Sequence, residues 1–93
     1  MKRYVTYLTI YRGNKLPPYY IGSTSEEKAL SEKYFGSVTS KKWKTIFYSE
    51  LKINKQLFSV KIISTHNTRH EAIKEELRLQ VLNNVVKSNI FFM

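Results

Sequence analysis

Glu76 is the side chain whose position most needs a chemical explanation. The periodicity predicts a helix from about Arg69 to Leu82. On a wheel at about 100° per residue, Ala72, Ile73, Leu77, Val81 and Leu82 spread over one broad apolar arc. Glu71, Lys74, Glu75 and Arg78 fall together opposite it, but Glu76 lies between Ala72 and Ile73, above Gln80, on the side expected to face a sheet. A carboxylate turned inward is costly unless it is paired, hydrogen-bonded or bound to a cation. A salt bridge to a lysine and a hard cation are therefore its two readings. The second chemical group is a set of phenols near the start of the chain. Tyr7 and Tyr11 share one face of an expected strand, and Tyr19 and Tyr20 follow on the next. The chain has no Cys and no Asp, so a hard-metal site must rely on Glu, backbone or water. His66 and His70 lack metal-ligand spacing and read as loop and cap residues.

The elements that position these groups are legible from residue type and period. Tyr4 to Tyr11 is rich in β-formers, Arg12 to Lys15 makes a corner, and Pro17-Pro18 rules out helix. A short second strand, Tyr19 to Ile21, is expected to close at Gly22. Thr24 and Glu27 have capping-box spacing, predicting a helix that runs through Lys28, Ala29, Leu30 and Lys33 and fades at Gly36. Ser40 is the next candidate cap, followed by a helix over Lys41 to Ile53 with Trp43, Ile46, Phe47 and Leu51 on one stripe. Leu57 to Thr65 alternates as a strand, with Phe58, Val60 and Ile62 pointing one way. Thr68 and Glu71 form a second capping box before the last helix, which stops near Asn83-Asn84. The order strand, strand, helix, helix, strand, helix predicts one α+β domain: a small three-stranded, largely antiparallel sheet flanked by helices. The tail, ending Ile90-Phe91-Phe92-Met93, is apolar enough that it is expected to pack on the domain or on a partner protein.

Charge narrows the function classes. Sixteen Lys and Arg against seven acidic residues give a formal charge of +9 over 93 residues, the balance of a polyanion binder. Lys41, Lys42, Lys44, Lys52 and Lys55 crowd the rest of the Lys41 to Ile53 segment and its exit, and Glu50 is the one acid between Thr39 and Thr68. The absence of cysteine suits the cytoplasm, and no apolar run approaches the length of a membrane span or opens the chain as a signal peptide.

Thr6-Tyr7-Leu8-Thr9, a turn, and Tyr20-Ile21-Gly22-Ser23-Thr24 together resemble the paired hallmark of the GIY-YIG nuclease superfamily, most of all its small phage-type homing endonucleases. The second half matches closely. No Gly-Ile precedes Tyr7, and Thr9-Ile10-Tyr11 offers Tyr11 as an alternative first tyrosine. Ala72 followed one turn later by Glu76, in EAIKEELRLQ, resembles the family's last-helix pattern, with Glu75 as the alternative if the register is off by one. The resemblance implies a metal-dependent DNA endonuclease. In it Glu76 holds Mg²⁺, or Mn²⁺, against the scissile phosphate, Tyr7 assists deprotonation of the attacking water, and Tyr20 orients the phosphate or the water. A phenol is a poor base at its unperturbed pKa of about 10, so this role needs a cationic neighbour.

Two departures from the family pattern matter. The family's helix after YIG carries an arginine, whereas here that stretch has Lys28 and Lys33, which offer point charge without the bidentate fork. Lys33, Lys41 or Lys42 could supply the missing charge, and Lys28, Lys33, Lys41, Lys42 and Lys44 are the expected DNA contacts. The family's asparagine after the last helix has only Asn89 as a counterpart. A catalytically weakened DNA-binding module, or a small phage protein that binds a host protein through its tail, are the alternatives.

Overall fold

Strand β1 (Tyr4–Tyr11) sits at the centre of the sheet, which has the order β2-β1-β3. It pairs antiparallel with β2 (Tyr19–Ser25) on one side and with β3 (Phe58–His66) on the other. The computed structural model describes residues 2–30, 35, 36, 38, 41–83, 91 and 92. Among the described residues three α-helices complete the α+β domain: α1 (Glu26–Ala29), α2 (Lys44–Ile53) and α3 (Arg69–Leu82). No helix among the described residues is long and apolar enough to cross a membrane.

Strand alternation divides the side chains of β1 between two environments. Tyr7, Thr9 and Tyr11 point to one face. There Tyr11, Leu16, Val38, Phe47, Phe58 and Phe92 form the main core, with Tyr20, Trp43 and Leu51 packed against it. The rings of Phe47 and Phe92 stack at 5.5 Å, and Phe47 meets Phe58 edge-on at 5.6 Å. Each fully buried ring of this kind stabilises the fold by about 1.5–3 kcal/mol. Thr6 and Leu8 point to the other face, beneath α3, where Thr6 Oγ1 donates to the Ala72 carbonyl at 3.0 Å. A smaller cluster of Ile21, Phe91, Leu8, Tyr19 and Leu79 closes that side.

Several boundaries differ from the sequence expectation, each for a local reason. Strand β2 does not close at Gly22 but continues to Ser25, because Thr6, Val5 and Tyr4 go on pairing with Ser23, Thr24 and Ser25. Thr24 is therefore still strand, and Ser25 caps α1 instead, accepting from the Lys28 backbone N–H at 3.3 Å. Helix α1 ends at Ala29, with Leu30 as its C-cap. Helix α2 begins at Lys44, after a turn over residues 41–43, and Ser40 lies outside the described residues. Leu57 closes a short 3₁₀ turn (Lys55–Leu57) rather than opening β3.

Strand β3 carries a bulge. Thr6 faces Ser64 while Tyr7 faces Ile62, so Ile63 is the extra residue. The bulge reverses the alternation. Phe58, Val60 and Ile62 lie on the aromatic side, but Ser64 and His66 turn beneath α3. There His66 Nε2 bonds Ser64 Oγ at 2.8 Å, so His66 is a strand residue in a hydroxyl network rather than a loop residue.

Helix α3 starts as predicted: Thr68 caps it, accepting from the Glu71 N–H at 3.2 Å. Its expected apolar arc, however, does not face the sheet. Of that arc only Ala72 is buried, whereas Ile73, Leu77, Val81 and Leu82 are 38%, 53%, 81% and 71% exposed. Ala72, Glu76, Leu79 and Gln80 face inward instead. Part of the sheet face they cover is lined by the hydroxyls of Thr6, Ser23 and Ser64, where polar groups find partners, while Leu79 meets Leu8 and Ile21.

Of the tail, Phe91 and Phe92 pack on the domain. Phe91 bridges Tyr19 in parallel, and the Phe92 N–H donates to the Tyr19 carbonyl at 2.9 Å along the free edge of β2. Phe91 is 7% exposed in the cluster under α3 and Phe92 0% in the aromatic core. Ile90 and Met93 lie outside the described residues.

Candidate active site

The hairpin register brings Tyr7 and Tyr20 together. Tyr7 is opposite Gly22 and Thr9 opposite Tyr20, so the two phenols are diagonal neighbours on one face, with ring centroids 6.3 Å apart. Gly22 makes this possible. A Cβ there would stand 2.4 Å from the Tyr7 hydroxyl oxygen and 3.0 Å from the Tyr20 ring. Gly36 packs against the same pair with φ +134°, a conformation that glycine alone adopts readily. Tyr7 is 1% exposed, while Tyr20 is half-buried and stacks on Phe92 at 5.3 Å. Tyr11 belongs to the core: its ring packs on Phe58 at 4.8 Å, and its hydroxyl accepts from the Lys15 backbone N–H at 3.3 Å, fixing the hairpin corner.

Glu76 faces inward, as the helical wheel predicts, and is held by two donors. Ser23 Oγ donates to Oε1 at 2.6 Å and Gln80 Nε2 to Oε2 at 3.0 Å. Gln80 also donates to the Ile21 carbonyl at 3.3 Å, pinning the helix to edge strand β2. Ser23 lies one residue beyond Gly22, so its side chain points to the opposite face from Tyr20. The carboxylate and the phenols thus flank β2 from its two sides. Glu75 by contrast pairs with Arg78, its Oε1 accepting from Arg78 Nε at 2.6 Å on the outer surface.

An ionised carboxylate offers about four lone-pair positions, and the two hydrogen bonds leave Glu76 about half of them. That donor set has the capacity for a hydrated Mg²⁺ or Mn²⁺, ions content with one or two carboxylates plus water and phosphate. It does not have the capacity for an all-protein cage: among the described residues no group of three His, Cys, Asp or Glu stands together.

A polar cavity of about 400 Å³ opens beside this carboxylate, between the end of β2, α1 and the first turn of α3. Lys2, Tyr4, Ser23, Thr24, Ser25, Lys28, Arg69 and Ala72 line it, so Ser23 belongs to both the cavity and the Glu76 clamp. Of the expected DNA contacts, Lys28 lies here. Lys41, Lys42 and Lys44 are exposed at the start of α2, with Lys42 Nζ 4.8 Å above the Trp43 ring. Lys33 and Asn89 lie outside the described residues. Sequence reasoning did not single out Ser23, Gln80, Lys2 or Arg69 as site residues. Gln80 carried a signal, one turn after Glu76 on the same side. Arg69 and Lys2 carried none, because only the fold brings residues 2, 28 and 69 to one cavity. The chain matches no family model, no curated protein and no solved structure.

Proposed function

We propose that the domain is a metal-dependent DNA endonuclease of the GIY-YIG type, with Glu76 as its metal-holding carboxylate. The observation that carries this reading is Glu76 itself, an acidic side chain turned toward the sheet and fixed by Ser23 and Gln80 beside a cationic cavity, in a chain of charge +9. The resemblance of the Tyr20-Ile21-Gly22 hairpin and of Ala72 with Glu76 to that superfamily supports it. Ser23 and Gln80 set the direction of the carboxylate, so its remaining lone pairs are presented without rearrangement. A Mg²⁺ or Mn²⁺ bound there supplies Lewis acidity at a phosphoryl oxygen. Tyr20, half-exposed across edge strand β2 from Glu76, is the phenol assigned to the phosphate or the water, and this role requires the substrate to wrap that strand edge. Tyr7, enclosed between Gly22 and Gly36, positions it. Lys28 and the lysines at 41, 42 and 44 neutralise the backbone of the bound strand.

The near-complete enclosure of Tyr7 favours a second reading, a DNA-binding module of this fold without hydrolysis. Plasmid nicking by a nuclease-free preparation, with and without Mg²⁺ or Mn²⁺, decides between them. The endonuclease nicks only with metal, loses nicking with Glu76→Gln and retains it with Glu75→Gln. A wild-type protein that binds but never nicks leaves the second reading, and nicking that survives both substitutions removes Glu76 from the site.

A further inference from the structure

The cavity beneath the first turn of α3 is lined by three cationic side chains, Lys2, Lys28 and Arg69. Among the described residues the ion pairs are Arg3 with Glu26, Lys15 with Glu50, and Arg78 with Glu75. Arg69 and Lys2 enter none of them, yet both line the same concavity as Lys28. Cationic side chains lining one cavity favour an anion within it. The remaining wall supplies four hydroxyl groups, from Tyr4, Ser23, Thr24 and Ser25. Ser23 already donates to Glu76, and Ser25 accepts the α1 capping bond, which leaves its own O–H to donate elsewhere. The side chains rather than the helix end carry this site, since Thr68 already occupies the Glu71 N–H. A guanidinium fork, two ammonium groups and several hydroxyl donors match a tetrahedral oxyanion.

We propose that this cavity is a phosphate subsite in which Arg69, with Lys28 and Lys2, holds one phosphate group of a nucleic-acid strand beside Glu76. The identity of the strand rests on the DNA reading above, but the phosphate chemistry does not. The site adds charge from both ends of the domain's sequence to the region that Glu76 serves. It assigns a binding role to Arg69 that neither its place on the helix nor its neighbours in sequence suggest.

The test is made without metal, in EDTA, so that it is independent of cleavage. Inorganic phosphate titrated into labelled protein is expected to shift the backbone amides of Ser23, Thr24 and Ser25. Arg69→Gln is expected to weaken oligonucleotide binding about tenfold and to lower the salt slope by about one phosphate contact. Arg69→Lys should restore part of the loss, and Arg12→Gln, an exposed arginine bonded to Ser59, should change little. If a 5′-phosphorylated oligonucleotide binds more tightly than its 5′-hydroxyl form, and Arg69→Gln erases the difference, the subsite takes a terminal monoester. If both bind alike and both lose affinity with Arg69→Gln, it takes an internal diester. Wild-type affinity and salt slope in a folded Arg69→Gln protein would overturn the subsite, as would phosphate shifts confined to residues 41–61. A protein that keeps the phosphate response but never nicks DNA retains the subsite and loses the nuclease reading.

Discussion

On one face of the sheet Tyr11, Phe58, Phe47 and Phe92 pack ring on ring, whereas on the other Thr6, Ser23, Ser64, His66, Glu76 and Gln80 are joined by hydrogen bonds. The first face gains its stability from area removed from water and is tolerant of direction. The second gains little net energy from each bond but fixes where each polar atom points. No buried side-chain nitrogen or oxygen among the described residues lacks a partner. The contrast explains the orientation of α3. A helix laid on hydroxyls turns its glutamate and glutamine inward, even when that leaves Ile73, Leu77 and Val81 in solvent. Ring packing and the hydrogen-bonded polar groups thus lie on opposite sides of one three-stranded sheet.

That division is most sharply broken from the aromatic side. Phe92→Ala empties a fully buried position between Phe47 and Tyr20 and is expected to cost about 3–5 kcal/mol, read as a fall in the denaturant midpoint. A midpoint unchanged by this substitution would show that the aromatic face is not the main source of stability. Gly22→Ala comes next, at about 1–3 kcal/mol, since its methyl group would press on the Tyr7 phenol. Tyr7→Phe in the same chain should recover part of that loss, and a purely additive double mutant would argue against the contact.

On the polar face the effects on stability should be small while those on activity are large. Glu76→Gln keeps the side chain's shape and its acceptor for Ser23, so the midpoint should move by about 1 kcal/mol or less; a collapse of the fold would mean that Glu76 is structural. Smallest of all is Glu75→Gln, which removes a surface ion pair with Arg78 and should cost less than about 0.5 kcal/mol. A larger loss there would mean that the outer surface of α3 contributes more than its exposure suggests.

Much of the architecture was legible because it rests on local rules. The β-formers of Tyr4 to Tyr11, the Pro17-Pro18 break and the Thr68 cap each act within a few residues, and all three elements lie where those signals put them. What escaped depends on partners distant in sequence. The extension of β2 through Ser25 requires β1 to go on pairing with it, and no property of Ser23 or Thr24 announces that. The bulge at Ile63 turns Ser64 and His66 to the other face, which a strict two-residue period cannot foresee. The apolar arc of α3 pointed to the wrong side because hydrophobic period assumes an apolar surface beneath. For the candidate site, the inward turn of Glu76 could be read from its own helix. Its clamp by Ser23 and the company of Lys2 and Arg69 could not.

The bridge between Tyr19 and Phe91 also bears on when the domain can finish folding. The hairpin of β1 and β2 is synthesised early, but its outer edge and one wall of the aromatic core await residues 91 and 92. Pairing across so long a stretch must first overcome the entropy of closing the loop. Until then a nascent chain presents an uncovered strand edge next to unsealed rings, the kind of surface through which chains associate with one another. The interval between making Tyr19 and making Phe92 is therefore the period in which this protein is most exposed to aggregation. A variant that slows translation within it should lower soluble yield without altering the stability of the folded domain.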